Sequence, residues 1–318
     1  MIDRAFDLLL IGGMLGLAVQ VVASRALFRS VVLFIALGLL MAVVWARLAA
    51  PDLALAEAAI GAGLTGALLL AAYRALQPAG EAGDAEPAAL PRRWALVAAV
   101  LSGALVAAIG WAVLGLEPPA ASAGREALAR LGESGVKSPI TAVLLSFRAV
   151  DTLAEVVVLF AAFLGARVVA EPLGRAGPGP RPDPAGGEPV LMPLLLRVTV
   201  PMGVLVAGYL LWSGGHQPGG AFQAGAVLAA LGVLLRLTGR LQPVAETSPA
   251  ERLALVGGIV LFSAIGLAGA GMASAVLAYP EGWAYTLILL IETGLTLAIA
   301  LPLTLLFSGS AGLRWRGR

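Results

Sequence analysis

The chain has 318 residues, of which 59% are apolar and 13% are charged, and its mean hydropathy is +0.93. This composition excludes an ordinary soluble domain and leaves no stretch polar enough for redox or nucleotide chemistry. The absence of cysteine excludes disulfides, iron–sulfur clusters and thiolate metal sites, and a single histidine excludes a conventional multi-histidine metal site. We therefore expect no cofactor, no resident metal and no enzymatic site in this chain.

Apolar runs of about 20 residues recur along the whole chain, and this length crosses roughly 30 Å of hydrocarbon. They predict an all-α polytopic membrane protein. We expect nine transmembrane helices, at residues 6–23, 27–46, 52–74, 93–115, 147–170, 191–213, 219–237, 252–272 and 283–307.

The net charge of +2 indicates membrane topology rather than binding to nucleic acid. When the loops are assigned alternately to two sides, fifteen arginines fall on one side and six basic residues on the other. This asymmetry follows the positive-inside rule. It predicts an N-terminus outside the cell and a C-terminus in the cytoplasm.

Two linkers divide the predicted helices into three modules of three, two and four helices. The linker at 77–91 is rich in proline, alanine and acid, and the linker at 172–189 holds six prolines and five glycines, which cannot continue a helix. Module one is residues 1–76, module two is 92–171 and module three is 190–318. The second linker is typical of a fusion between two proteins that are made separately elsewhere.

Module one places two carboxylates at the start of a membrane helix. Asp52 follows Pro51 in the first turn, where it either caps the helix and offsets its dipole or has a functional role. Glu57 is six residues after Pro51 and thus roughly 9 Å deeper than it, at 1.5 Å per residue. A buried carboxylate there either pairs with an arginine of a neighbouring helix or exchanges a proton or ion.

Module two places three charges on one helix face, because Arg148, Asp151 and Glu155 are spaced at i, i+3 and i+7. Two carboxylates so close in a low dielectric resist joint ionisation, which favours a proton relay. The alternative is a permanent Arg148–Asp151 ion pair, with Glu155 left to a partner protein. A helix continuous from residue 140 to 170 would exceed the bilayer, so we expect a break near 146–149.

Module three contributes one acid and the single histidine. Glu292 lies near the middle of the last helix, where a functional role and a pairing role both fit. His216 stands in a glycine-rich loop, either as a polar loop residue or as a proton access point, since histidine titrates near neutral pH. The glycines around it predict a tight turn before the next helix.

Three motifs resemble the Mrp-type multisubunit cation/proton antiporters. Module three is similar to the B-type small subunit of that family through G-H-Q-P-G-G-A-F-Q-A-G at 215–225, with Ala221 in place of a third glycine. Module one resembles a segment near the C-terminus of the large, A-type subunit through D-x-A-x-x-E-A-x-x-G-A-G at 52–63, and module two resembles the next segment through F-R-x-x-D-T-L-x-E at 147–155. Related small subunits occur in energy-converting membrane-bound hydrogenases.

The resemblance implies that Glu57 and Glu155 correspond to acids held important for ion transfer in the large, A-type subunit, and a transient Na⁺ near either one fits that role. It also implies that the antiporter-like core of the large protein is absent. The expected partners are therefore a separate antiporter-like large membrane subunit, other small Mrp-type subunits and the lipid bilayer, with no nucleic acid. The expected location is the cytoplasmic membrane of a bacterium or archaeon.

The leading hypothesis is a non-enzymatic subunit of a monovalent cation (Na⁺)/proton antiporter that contributes buried carboxylates to the pathway. The alternatives are a membrane-arm subunit of a redox-driven hydrogenase or complex I-like pump, and a structural scaffold subunit of either assembly. The predicted pathway residues are Glu57, Glu155, Asp151, Asp52, Arg148, Glu292 and His216.

Overall fold

The structure is a computed structural model of the chain and is almost entirely helical. It describes residues 2–76, 91–116, 122–170, 191–272, 276–280 and 282–316. The all-α polytopic architecture predicted from the sequence is confirmed. The orientation of the termini across the membrane stays a prediction.

Module one forms two membrane helices and a third, composite one. The third begins with Pro51 in its first turn, a position where proline's missing N–H costs nothing, and a π-helical segment interrupts it. The bounds are α1 Ile2–Ala23, α2 Leu27–Arg47, α3 Pro51–Ala56, the π-helical segment Glu57–Leu64 and α4 Thr65–Leu76.

Module two consists of two long helices joined by short helical pieces. No residue of α5 is buried within the described part of the chain, so this helix presents its whole circumference outwards. The bounds are α5 Arg92–Leu114, α6 Ala123–Ala129, a 3₁₀ turn Leu131–Glu133, α7 Pro139–Ala142, a π-helical segment Val143–Phe147 and α8 Ala149–Ala170.

Module three forms four helices and a small two-stranded sheet, whose strands are separated in sequence by α11 and α12. The two strands are antiparallel, with Leu241 opposite Trp315. The bounds are α9 Met192–Ser213, α10 Ala221–Leu237, β1 Leu241–Val244, α11 Pro249–Met272, α12 Ala284–Ser308 and β2 Gly312–Trp315.

Eight helical spans in the described residues are long and apolar enough to cross a membrane. The one predicted helix outside these eight spans, at 219–237, corresponds to α10, which has only 17 residues. Its length falls at the lower limit for a membrane span. Many of its residues are buried among neighbouring helices, so α10 is a central helix rather than a lipid-facing one.

Helix α12 forms the core of module three, packed against α10, α11 and α8. Its side chains Ile288, Ile291 and Leu295 are at most 1% exposed. Against α11, Gly258 and Gly294 approach so closely that a Cβ on Gly258 would overlap the Gly294 backbone. Small residues at such contacts let membrane helices approach closely.

The predicted helix break near 146–149 is confirmed. The π-helical segment Val143–Phe147 ends at Arg148, whose φ of −130° and ψ of 35° are not helical. Carbonyl groups freed by this break accept hydrogen bonds from side chains, because the Thr152 hydroxyl donates to Leu144 O at 2.7 Å and the Tyr279 hydroxyl donates to Leu145 O at 2.6 Å. Side-chain hydroxyls thus satisfy the hydrogen-bonding needs of these two carbonyl groups at the break.

Candidate functional site

The link between α9 and α10, residues 213–220, is called here the glycine loop. Gly219 and Gly220 have φ values of 153° and 108°, which favour glycine. A Cβ on Gly214 would lie 2.6 Å from the Gly220 Cα, so the loop folds tightly onto itself. The predicted tight turn before α10 is confirmed.

Asp52 of module one contacts the glycine loop. Its side chain is buried, and its Oδ1 accepts a hydrogen bond of 2.9 Å from the Gly219 N–H. The Gln223 amide also donates to the Asp52 backbone oxygen at 3.2 Å. Asp52 lies in the first helical turn as expected, although the N-cap position is Ala50, and its carboxylate bonds across to module three.

Module two binds the opposite side of the glycine loop. The backbone N–H groups of Lys137 and Ser138 donate to Gly215 O at 2.9 and 3.0 Å. The Thr141 hydroxyl donates to the Gly214 carbonyl in a buried hydrogen bond. The loop therefore receives contacts from all three modules.

Glu292 of α12 is also directed at the glycine loop. It is only 4% exposed, and its carboxyl group interacts with the N–H of Ala221, the first residue of α10. A Cβ on Gly220 would lie 2.6 Å from the Glu292 Oε1, so glycine leaves room for the carboxylate. Among the described residues, Glu292 forms no ion pair. The expected alternative, a paired Glu292, is thus not observed in that part of the chain.

The two threonines near Glu292 do not extend the site. Thr293 donates its hydroxyl to Leu289 O at 2.7 Å, and Thr296 donates to the Glu292 backbone oxygen at 2.8 Å. Both hydroxyls therefore satisfy carbonyls of their own helix. Neither hydroxyl is engaged by the Glu292 carboxylate, which approaches the glycine loop.

His216 lies at the exposed side of the glycine loop. Its ring centroid is 5.1 Å from that of Tyr285 and 6.2 Å from that of Trp212. A Cβ on Gly215 would lie 2.7 Å from the Tyr285 ring, so that glycine permits the aromatic contact. The imidazole thus stands between the loop and the surface of the chain.

Glu57 begins the π-helical segment of module one and is half-buried. Its carboxylate folds back over Gly61, where a Cβ would overlap it. No ion pair joins it to another described residue, so the alternative of a neighbouring arginine is not observed there. π-Helical turns inside α-helices are frequent at functional sites.

Asp151 and Glu155 lie on α8, whereas Arg148 precedes that helix at the non-helical break, and all three residues are exposed. The Arg148 Nη2 lies 2.6 Å from the Asp151 Oδ2, with the two side chains 71% and 49% exposed. Glu155 forms no ion pair within the described ranges. The expected alternative of an Arg148–Asp151 pair, with Glu155 left to a partner protein, matches this geometry.

The predicted residues therefore form separate groups. Asp52, Glu292 and His216 meet at the glycine loop, whereas the α8 charges form an exposed cluster, and Glu57 lies one turn beyond Asp52 along the same composite helix. No group of three or more acidic or histidine residues in the described ranges is placed to hold a metal. A transient Na⁺ near Glu57 or Glu155 remains a prediction.

Two polar contacts, made by Tyr279 and Glu251, were not predicted from the sequence. The Tyr279 hydroxyl, which bonds Leu145 O, lies close enough to Glu292 to sense its charge, and no local pattern signals this contact. Glu251 accepts from the Ser248 N–H and from the Leu313 N–H, both at 2.7 Å, so it anchors strand β2 to the start of α11. The spacing Ser248-x-x-Glu251 is a capping-box pattern that could have revealed half of that arrangement.

Comparison with known proteins gives two family matches in different parts of the chain. Residues 12–78 match the MbhD family, described as the D-type subunit of MBH. Residues 191–307 match the family described as a domain related to the MnhB subunit of Na⁺/H⁺ antiporter. No curated protein matches the chain.

The fold is similar to a chain in the solved structure of the Mrp complex from Dietzia sp. DQ12-45-1b, with a TM-score of 0.74 and 22% sequence identity. The similarity covers 95% of this chain and 34% of that one, so this chain spans about a third of its length. The chain thus has the fold of part of an Mrp complex and joins an MbhD segment to a MnhB-related domain in one polypeptide, which confirms the Mrp-type resemblance of its motifs.

Proposed function

We propose that this chain is a non-enzymatic membrane subunit of a multisubunit monovalent cation (Na⁺)/proton antiporter. The match to a domain related to the MnhB subunit of Na⁺/H⁺ antiporter and the shared fold with an Mrp complex chain support this class. Within this antiporter, modules one, two and three form three structural units of the chain. The assembly lies in the cytoplasmic membrane of a bacterium or archaeon, with the N-terminus of this chain outside.

The observation that carries the proposal is the burial of Glu292 without an ion-pair partner among the described residues. A charge at the centre of a membrane helix costs about 2.5–3.5 kcal/mol on the insertion scale. A carboxylate held there without a fixed counter-charge is suited to take up and release a proton or a cation. The N–H of Ala221, at the start of α10, interacts with the carboxyl group of Glu292.

The other predicted residues serve the same pathway in different ways. Asp52 positions the glycine loop through the Gly219 N–H. Glu57 and Glu155 are further protonatable stations, and His216 gives the pathway access to water at the loop surface. Arg148 forms an ion pair with Asp151, which lies four residues before Glu155.

The proposed partners are other small Mrp-type subunits and an antiporter-like large membrane subunit. The exposed charges of α8 support this, because they would be costly against lipid and need either a partner or water. Helix α5, which has no buried residue in the described chain, offers a second outward surface. The lipid bilayer covers the remaining apolar exterior.

The test is Glu292→Gln in the assembled complex, with Glu133→Gln as the control. Glu133 is exposed and lies outside the membrane spans. We expect Glu292→Gln to abolish cation-dependent proton flux in everted vesicles while the complex still assembles, and Glu133→Gln to leave the flux unchanged. Normal flux from an assembled Glu292→Gln complex would refute the role of this acid.

The match of residues 12–78 to the MbhD family favours a second candidate, a membrane-arm subunit of a redox-driven hydrogenase or complex I-like pump. Affinity purification of the tagged chain distinguishes the two. Copurified iron–sulfur or nickel subunits would support the redox machine, whereas copurified small antiporter subunits support the first proposal. A scaffold role would appear instead as loss of assembly, not only of flux, in the Glu→Gln variants.

A further inference from the structure

We propose that the chain binds the headgroup of an anionic phospholipid in a groove between α9 and the two-stranded sheet of β1 and β2. The groove has a volume of about 470 Å³ and is lined at its polar side by Arg197, Arg240 and Trp315. Its volume lies within the range of ligand sites. It is separate from the glycine loop, which joins the opposite ends of α9 and α10.

The groove lies at the arginine-rich end of the bundle, where α9 begins and α10 ends. The two-stranded sheet lies at this end, and beside it the Arg316 N–H donates to Arg240 O at 2.9 Å. Arginines from five parts of the fold gather there: the end of α8, the start of α9, the end of α10, the start of α11 and strand β2. They are Arg167, Arg197, Arg236, Arg252 and Arg314.

The charge of the groove favours an anion. No carboxylate lines it, and Arg197 is exposed without an ion pair to any residue that the structure describes. The two other grooves at this end differ, because each includes Glu246 beside its arginine Arg252. Those two grooves therefore include a carboxylate beside their arginines, whereas none of the residues that line this groove is acidic.

The apolar walls favour a lipid over a free anion. Leu196, Val200 and Pro201 form the α9 side of the groove. Further along the same helix, Val204 and Leu205 are 52% and 68% exposed, so the groove continues into an apolar outer surface. A phosphate headgroup at the arginines would thus place its acyl chains along α9.

Trp315 indicates the depth at which the groove lies in the membrane. It is 59% exposed, and tryptophan concentrates at the boundary between lipid and water. Its neighbours in the groove are two arginines, which bind phosphate through planar, multiply donating guanidinium groups. Basic pockets between membrane helices bind anionic lipid headgroups in this way.

The experiment measures which phospholipids stay with the purified full-length chain, and any subunits that accompany it, after extensive detergent washing. We expect anionic phospholipid to be enriched over its share in the source membrane. Arg197→Gln should reduce that retention about five-fold, the effect of one basic residue near the membrane surface, while Arg197→Lys should keep most of it. Trp315→Ala is a second variant that should also reduce retention.

Arg92→Gln is the matched control, because Arg92 is an exposed arginine at the start of a membrane helix and does not line the groove. Equal retention by the wild type and Arg197→Gln would overturn the proposal, as would retention of zwitterionic lipid without anionic enrichment. Release of the lipid by millimolar inorganic phosphate would also overturn it, since it would show a simple anion site. A photoreactive residue at position 201 should form an adduct with lipid, and an adduct with any protein chain would contradict the proposal.

Discussion

The Asp52 Oδ1 accepts a hydrogen bond of 2.9 Å from the Gly219 N–H, although the two residues are 167 positions apart in sequence. This bond joins the start of the composite helix in module one to the loop that precedes α10. Glu292 approaches the next glycine of the same loop from α12. The glycine loop therefore couples the position of one acid to the environment of another.

Asp52→Ala should destabilise the chain more than Asp52→Asn. Alanine leaves the Gly219 N–H without its partner, at about 1–3 kcal/mol for a buried group, whereas the asparagine carbonyl can still accept the bond. Thermal unfolding of the purified protein in detergent measures the difference. Asp3→Asn is the control, since the Asp3 side chain is 83% exposed. Equal melting temperatures for Asp52→Ala and wild type would contradict the contact.

Gly220→Ala should impair both folding and transport. Gly220 has φ of 108°, and an added Cβ would lie 2.6 Å from the Glu292 Oε1. The backbone strain alone costs about 1–3 kcal/mol. Gly124→Ala on α6, where nothing lies within 4 Å of the new Cβ, is the matched control. The measurement is the yield of assembled complex, and a normal yield with normal flux for Gly220→Ala would refute the proposed fit.

Arg148→Gln should change stability little but reduce flux. The Arg148–Asp151 pair is largely exposed, and such pairs contribute about 0–1 kcal/mol. Without the guanidinium, Asp151 loses its ion-pair partner and is left as a second unpaired acid beside Glu155. Thermal unfolding and vesicle flux are measured on the same preparation. A large drop in melting temperature with unchanged flux would indicate a structural role instead.

Glu57→Gln and Glu155→Gln should each abolish cation-dependent proton flux without loss of assembly. Glutamine keeps the size of the side chain but cannot carry a proton on and off. Affinity purification checks assembly, and Glu126→Gln is the control because Glu126 pairs with Arg130 on the exposed helix α6. Unaltered flux in both variants would rule out these two acids as protonatable stations.

The sequence was sufficient to predict the helices, because an apolar run long enough to cross a bilayer can adopt few structures other than a helix. The length of α10 was overestimated, since the polar glycine loop and the following turn sit at the ends of its apolar run. The π-helical segments at Glu57–Leu64 and Val143–Phe147 were not predicted as such. Hydropathy carries no signal for one extra residue in a helical turn, although bilayer length did predict the break after Phe147.

The candidate site was only partly predictable for a similar reason. The sequence identified Asp52, Glu292 and the glycine loop as separate features, because each is unusual in its own segment. Whether these features meet depends on how α3, α10 and α12 pack together. Helix packing is set by small residues such as Gly258 and Gly294, and their pattern in the sequence does not show which helix each one contacts.

The most direct test of the account asks whether Glu292 itself gains and loses a proton. Infrared difference spectra of the reconstituted complex, recorded as the driving cation is added, report the carbonyl band of a protonated carboxyl group. We expect a band that changes with cation, disappears in Glu292→Gln and persists in Glu133→Gln. An unchanged band in Glu292→Gln would contradict the central claim that this buried acid exchanges protons.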